Sequence, residues 1–107
     1  MAEKLSADQV KEMIDSGTRF HLVETLMEKE YNEWHLPGAI NIHFNKIGGA
    51  AREQFQEDDT IVVYCHDEAC NASPIAAGKL EKMGYAHVYE FPGGKKAWKA
   101  AGYPTES

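Results

Sequence analysis

Residues 60–65 constrain the fold more than any other part of the sequence. They form an unbroken, mostly β-branched apolar run with the length of a strand. A strand that is apolar on both faces is typical of the centre of a parallel sheet, because helices cover both faces of such a sheet. The run therefore predicts a central parallel strand that ends at Cys65.

Strand and helix signals alternate along almost the whole chain. Ser6 and Gln9 form a capping box that predicts a first helix, which ends at Gly17. Ser73 and Pro74 predict another helix start, with Ser73 as the N-cap and Pro74 as the first helical residue. The other predicted elements are strands at residues 20–23, 40–42 and 88–91, and helices at residues 28–34, within 44–56 around a Gly48-Gly49 break, and after the turn at 92–94.

This alternation predicts an α/β domain with a mostly parallel central sheet of four or five strands and helices on both faces. The length of 107 residues fits one domain over residues 1–107. Residues 1–4 lead directly into the polar helical pattern of the first helix and contain no apolar signal-peptide core. No run reaches the roughly 20 apolar residues that cross a bilayer, so we expect a cytoplasmic location.

The charge balance and the cysteine count narrow the function classes. The chain has 17 acidic and 11 basic side chains and a net charge of −6, which makes nucleic acid and membranes poor partners. Cys65 and Cys70 are too few for a disulfide framework and suggest chemistry in a reducing compartment. The cysteines and the five histidines show no zinc-ligand spacing, and we expect neither a metal nor a cofactor.

Cys65 lies where an open parallel sheet places its ligands, beyond the carboxyl end of a strand and just before a helix. The positive end of the helix dipole and the loop amides favour the thiolate of Cys65, and a protonated His66 would add to this. Asp67 and Glu68 act in the opposite direction, because nearby carboxylates disfavour a second negative charge. The sequence leaves this balance open, and it leaves open a structural role for a buried cysteine.

Several motifs resemble the rhodanese-like domain family in order and spacing, over about residues 20–104. They are Leu22, Val23 and Glu24; Glu30 and Tyr31; the segment 35–42, with His35, Pro37, Gly38 and Ala39; the strand 61–65; Gly84 and Tyr85; and Gly93, Gly94 and Trp98. The resemblance implies a single-domain sulfurtransferase in which Cys65 carries a persulfide. It also implies that the following loop wraps around the sulfur with its backbone amides as donors. This loop comprises His66, Asp67, Glu68, Ala69, Cys70, Asn71, Ala72 and Ser73.

The chain departs from the family pattern in its charges. The loop is about two residues longer than usual and carries Asp67 and Glu68 in place of cationic residues, so it should repel thiosulfate, a dianion. Glu24 opens the segment that stands where the family has Asp-x-Arg, and no arginine follows Arg52, which argues against the phosphatases built on this fold. We therefore expect a small sulfur donor or a persulfidated protein as donor, and a thiol or cyanide as acceptor.

Cys70 allows a second interpretation of the site. It could form a disulfide with Cys65 and resolve a persulfide, or it could simply pack under the loop. The alternative function is accordingly a non-catalytic binding or redox-sensing module that uses both cysteines. Asn71 and Ser73 are expected to hold the loop and cap the helix, and Ser73 could also hydrogen-bond the sulfur.

The sequence also predicts roles for one histidine and for three lysines. His35 is predicted to hydrogen-bond backbone and to fix the turn at residues 36–38 rather than to catalyse a reaction. Lys95, Lys96 and Lys99 are predicted to form a solvated helix face, with the first two as candidates to offset the acidic loop.

Overall fold

Strands and helices alternate along residues 2–107, the part of the chain that the computed structural model describes. The strands are β1 (Glu3–Lys4), β2 (His21–Glu24), β3 (Ile40–Asn41), β4 (Thr60–Tyr64) and β5 (His87–Phe91). The helices are α1 (Ala7–Asp15), α2 (Glu28–Glu33), α3 (Ile47–Gln54), α4 (Ala72–Lys82) and α5 (Gly94–Ala100), and a 3₁₀ turn at Phe44–Lys46 precedes α3.

The five strands form one sheet in the order β1-β5-β4-β2-β3, and every neighbouring pair is parallel. The predicted α/β class is therefore confirmed, and β4 lies at the centre of the sheet. Val62 of β4 stands in register between Leu22 of β2 and Tyr89 of β5. Ile61, Val62 and Val63 are all fully buried, as the two-sided apolar pattern of this strand predicts.

Each face of the sheet packs against its own helices. Val63 points into a cluster that includes Ala51 of α3 and Leu80 of α4. Val62 points into the opposite cluster, which includes Val10 of α1 and Trp98 of α5. Successive side chains of a strand alternate between faces, so the single run at β4 supplies both cores. No helix among residues 2–107 is long and apolar enough to cross a membrane.

Some local predictions hold and others are wrong. The capping box of Ser6 and Gln9 is present at the start of α1. The sequence analysis assigned no strand before Ser6, whereas Glu3 and Lys4 form edge strand β1 beside β5. Both β1 side chains are exposed, so the strand has no apolar period by which the sequence could reveal it.

The predicted helix break at Gly48 and Gly49 is wrong, because α3 runs through both residues. A Cβ at Gly48 would lie 3.1 Å from Cε of Lys79, so α3 passes close to α4 at this point. The small residue is therefore explained by the close approach of a neighbouring side chain and not by a turn.

Candidate active site

Cys65 follows the last residue of the central strand β4 and is only 1% exposed. The chain then curls through residues 66–71 before α4 begins. The amide of Cys70 donates to the carbonyl of Asp67 at 3.1 Å, and the Asp67 carboxylate accepts from the amide of Ala69 at 3.0 Å. These two bonds close the loop on itself beside the cysteine.

The loop residues differ widely in exposure. Ala72 and Ser73 are buried in the first turn of α4. Asp67 and Cys70 are half-buried, whereas the exposed members are His66, Glu68, Ala69 and Asn71. The prediction that Ser73 caps α4 is wrong, because the helix begins at Ala72 and Asn71 stands at the N-cap position without a side-chain capping bond. The Ser73 hydroxyl instead contacts the Cys65 sulfur and the Glu90 carboxylate.

The Cys65 sulfur lies in a small enclosed environment. Ser73 Oγ is 3.3 Å from Cys65 Sγ, and the Ser73 backbone amide acts to lower the pKa of the thiol. The Cys65 side chain packs with buried Leu26 and Ala72, and half-buried Phe44 and Cys70 cover this cluster. The first turn of α4 thus directs a hydroxyl and an amide at the sulfur.

Burial decides the protonation balance that the sequence left open. Desolvation and a hydrogen bond with Cys70 raise the pKa of Cys65 to about 11, although the bonds from Ser73 act to lower it. The resting sulfur is therefore a neutral thiol at physiological pH, and a reaction at Cys65 has to remove its proton.

This raised pKa predicts a loss of stability in alkali. The pKa of Cys65 is about 11 in the fold and 9.0 as an ordinary thiol, so its contribution is fully present below 9.0 and disappears as the pH rises through 11. Relative to Cys65→Ala, the wild-type free energy of unfolding should fall by about 3 kcal/mol across that window. Urea unfolding of both proteins at several pH values measures the difference, and a difference that does not change with pH would contradict the prediction.

The turn before α5 holds the base of the loop. The amides of Lys95 and Lys96 donate to the carbonyls of Cys65 and His66 at 2.9 and 2.8 Å. Gly94 has a φ of +58°, and a Cβ there would lie 2.2 Å from the Cys65 carbonyl oxygen. On the other side, Thr25 Oγ1 donates to the Tyr64 carbonyl at 3.0 Å. The backbone on both sides of the Cys65 α-carbon is therefore fixed by neighbouring elements.

A buried polar network lies behind the loop. The Tyr64 hydroxyl donates to Glu24 Oε1 at 2.8 Å, and Lys95 Nζ lies 3.2 Å from Glu24 Oε2. Lys95 also donates to the Glu30 carbonyl at 2.7 Å and lies over the Trp34 ring. Burial raises the pKa of Glu24, while the Tyr64 hydrogen bond and the Lys95 charge act to lower it.

The prediction of a solvated lysine face is therefore wrong for Lys95, which is 4% exposed. Lys96 and Lys99 are exposed, as predicted. Lys96 lines a cavity of about 480 Å³ together with Asp67, so it stands close to the acidic loop. The other lining residues are Glu33, Trp34, His66, Lys95, Lys99 and Ala100, and the cavity therefore opens beside the loop but not onto either cysteine.

His35 hydrogen-bonds backbone, as the sequence predicts. Its Nδ1 lies 2.8 Å from the Tyr31 carbonyl, its ring stacks on Tyr31, and its backbone pairs with Glu106. Among residues 2–107, no three His, Cys, Asp or Glu side chains form a group that could hold a metal ion.

The sequence analysis missed Glu90. It lies on β5, is 7% exposed, and accepts a hydrogen bond from Ser73 Oγ at 3.1 Å. A carboxylate inside an otherwise apolar strand was the available signal, because a buried acidic group needs a partner.

Comparisons with known proteins agree on one family. The family model of the rhodanese-like domain matches residues 6–101 of the sequence. The thiosulfate sulfurtransferase PspE of Escherichia coli is 35% identical over 77 residues, which cover 71% of this chain and 71% of PspE. The putative sulfur carrier protein YrkF of Bacillus subtilis is 26% identical over 95 residues, which cover 89% of this chain but only 50% of YrkF. The chain thus spans about half the length of YrkF.

Solved structures give the same result for the fold. The rhodanese-like domain of the Alr3790 protein from Anabaena superposes with a TM-score of 0.89 at 28% identity. The superposition covers 100% of this chain and 80% of the Anabaena domain.

Proposed function

The chain belongs to the rhodanese-like domain family, and on that premise we propose that it transfers sulfane sulfur through a persulfide on Cys65. The thiolate of Cys65 attacks the outer sulfur of a donor, forms a sulfur–sulfur bond and releases the remainder of the donor. A thiol or cyanide acceptor then attacks the terminal sulfur of the persulfide. The second step breaks the same sulfur–sulfur bond and regenerates the Cys65 thiolate.

The observation that carries this proposal is the position of Ser73 at the Cys65 sulfur, with Ser73 Oγ 3.3 Å from Sγ. A persulfide anion is stabilised by fixed hydrogen-bond donors in a site that excludes water. The Ser73 backbone amide, at the first turn of α4, is positioned as such a donor, and the Ser73 hydroxyl, which donates to Glu90 in the resting protein, becomes a second one if its proton turns to the sulfur. The half-buried side chains of Phe44 and Cys70 would shield the bound sulfur.

The charges around the loop favour some donors over others. Glu68 is exposed and Asp67 half-buried, and the net charge of −6 adds a long-range repulsion against a dianion. Lys96 lines a cavity with Asp67 and offsets part of this charge. We propose a low-molecular-weight persulfide or a persulfidated protein as the donor, in a reducing cytoplasmic compartment that keeps both thiols free.

Intact mass spectrometry of the reduced protein tests the proposal. After incubation with a low-molecular-weight persulfide the protein should gain one sulfur, and cyanide should remove it; thiosulfate should load it more slowly. Cys65→Ala should gain none, whereas the matched variant Cys70→Ala should still gain one. Loading of Cys65→Ala, or no loading of the wild type by either donor, would overturn the proposal.

One contact favours a second candidate function, a redox-sensing or binding module. Half-buried Cys70 packs against the cluster that contains Cys65, and both cysteines are free. If oxidation is the function, mild peroxide should remove two hydrogens from the protein and form a Cys65–Cys70 disulfide, with no turnover of any sulfur donor. Thiol titration before and after peroxide, beside the mass experiment, separates the two candidates.

A further inference from the structure

Glu90 is a buried acidic residue to which the proposed sulfur transfer gives no role. It lies on β5 and is 7% exposed, and its Oε2 accepts a hydrogen bond from Ser73 Oγ at 3.1 Å. The same Ser73 oxygen lies 3.3 Å from Cys65 Sγ. Cys65 and Ser73 are each 1% exposed, so the three side chains form a buried row that begins at the sulfur and ends at the carboxylate.

The Ser73 hydroxyl has one proton for two neighbours. A serine oxygen accepts through its lone pairs but donates only once, and an ionised carboxylate can only accept. Because the proton goes to Glu90, the Ser73 oxygen is left to accept from the Cys65 thiol in the resting protein. This arrangement satisfies all three groups as long as the sulfur keeps its proton.

An anionic sulfur disturbs this arrangement. A thiolate has no proton to give to Ser73, so it needs the hydroxyl proton that Glu90 already holds. If the hydroxyl turns to the sulfur, the buried Glu90 carboxylate loses this donor, which costs free energy. The two negative charges also stand only two hydrogen-bond lengths apart, and like charges so close disfavour the ionisation of the second group. Glu90 therefore opposes the formation of an anion at the sulfur.

The other groups packed around Glu90 leave this competition in place. Its register partner on β4 is Val63, which is buried and apolar. Its register partner on β1 is Lys4, an exposed cation at the edge of the sheet, where solvent and salt screen its charge. Helix α4 contributes Ser73, and the loop after β4 contributes its two thiols. The hydrogen bond with Ser73 is thus the connection between Glu90 and the sulfur.

We propose that Glu90 restrains the reactivity of Cys65 by holding the Ser73 hydroxyl away from the sulfur. Glu90 stays a carboxylate throughout, and the thiol proton leaves to solvent when the thiolate forms. Because Glu90 acts through Ser73, it is a positioning residue. Alkylating agents and oxidants react with the thiolate rather than with the thiol, so the restraint protects Cys65 from indiscriminate reagents.

The restraint has a consequence for sulfur transfer, and this consequence alone rests on the proposed function. When Cys65 becomes a thiolate or a persulfide anion, the Ser73 hydroxyl turns from Glu90 to the sulfur by rotation, without transfer of its proton. Removing the carboxylate charge should therefore speed sulfur loading as well as alkylation. Alkylation needs no sulfur donor, so it tests the role of Glu90 whether or not Cys65 loads sulfur.

The experiment is the rate of alkylation of Cys65 by iodoacetamide at a series of pH values, followed by intact mass. All proteins carry Cys70→Ala so that one thiol reacts. Glu90→Gln keeps the size of the side chain and removes its charge, and its amide can donate to Ser73 Oγ and leave the Ser73 proton for the sulfur. The midpoint of its pH–rate profile should lie about one pH unit or more below that of the parent. A more acidic thiol is a weaker nucleophile, so the rate at neutral pH should rise by about threefold or more.

Two comparisons separate the restraint from other effects. In a Ser73→Ala background, Glu90→Gln should shift the midpoint by less than it does in the parent, because the hydroxyl that connects the two groups is gone. Glu3→Gln removes an exposed carboxylate from neighbouring strand β1 and should leave the midpoint unchanged. A midpoint for Glu90→Gln at or above that of the parent would overturn the proposal. An equal shift with and without the Ser73 hydroxyl would overturn it as well, because Glu90 would then act by its charge alone.

Discussion

Replacing Gly94 with alanine is expected to displace the loop that carries Cys65 and to lower the free energy of unfolding by about 3 kcal/mol or more. Two costs combine at this position. A left-handed backbone costs a residue with a Cβ about 1–2 kcal/mol, and Gly94 has a φ of +58°. The new Cβ would also lie 2.2 Å from the Cys65 carbonyl oxygen and 2.9 Å from the His66 carbonyl carbon, and such overpacking costs about 1–3 kcal/mol.

The clash at Gly94 should also change the chemistry of Cys65. The carbonyls of Cys65 and His66 accept the amides that follow Gly94, so relief of the clash stretches or breaks both bonds. A shifted Cys65 would lose the 3.3 Å contact with Ser73 Oγ. We expect sulfur loading by a low-molecular-weight persulfide to fall in the same variant, as measured by intact mass.

Gly102→Ala is the matched control for Gly94→Ala. Gly102 has a φ of +74°, and a Cβ there would have no atom within 4 Å, so this variant carries the backbone cost without the clash. Urea unfolding should show a loss of about 1–2 kcal/mol for Gly102→Ala, and its sulfur loading should equal that of the wild type. Equal losses in the two variants would show that the contact with the loop is not responsible.

The fold was predictable from the sequence because its strongest signals are local. Residues 61–63 are apolar on both faces, and this pattern alone indicates a central parallel strand with helices on both sides. Edge strand β1 gave no such signal, since Glu3 and Lys4 remain exposed and its existence depends on pairing with β5. Strand β1 was therefore not predicted, because only tertiary contacts determine it.

In the candidate site, too, the sequence predicted the local features but not those that depend on tertiary contacts. The position of Cys65 followed from the end of a strand, but its protonation did not, because burial is the largest cause of its raised pKa. Lys95 and Lys96 are neighbours in sequence, and only the fold buries the first and exposes the second. Glu90 reaches Ser73 across 17 positions of the chain, a contact that no local pattern encodes.

Lys95→Met should lower the free energy of unfolding by about 3–5 kcal/mol, because it leaves a buried carboxylate without its cation. The side chains of Lys95 and Glu24 are 5% and 0% exposed, and their charged atoms lie 3.2 Å apart. Methionine keeps an unbranched chain beside Trp34 but cannot donate to the Glu30 carbonyl. Lys96→Met, the adjacent and exposed control, should change stability by no more than about 0.5 kcal/mol.

The pH dependence of Lys95→Met identifies Glu24 as the cause of the loss. Burial already raises the pKa of Glu24, and removing the Lys95 charge raises it further. A group whose pKa is raised in the fold contributes stability at low pH and loses it as the pH rises through the folded pKa. The loss of unfolding free energy relative to wild type should therefore be smallest in acid and grow toward neutral pH.

Adding Glu24→Gln should restore most of the lost stability and remove its pH dependence, because Gln still accepts from Tyr64 and carries no charge. A deficit that stays constant with pH, or that the double variant keeps, would show that the lost ion pair is not the reason.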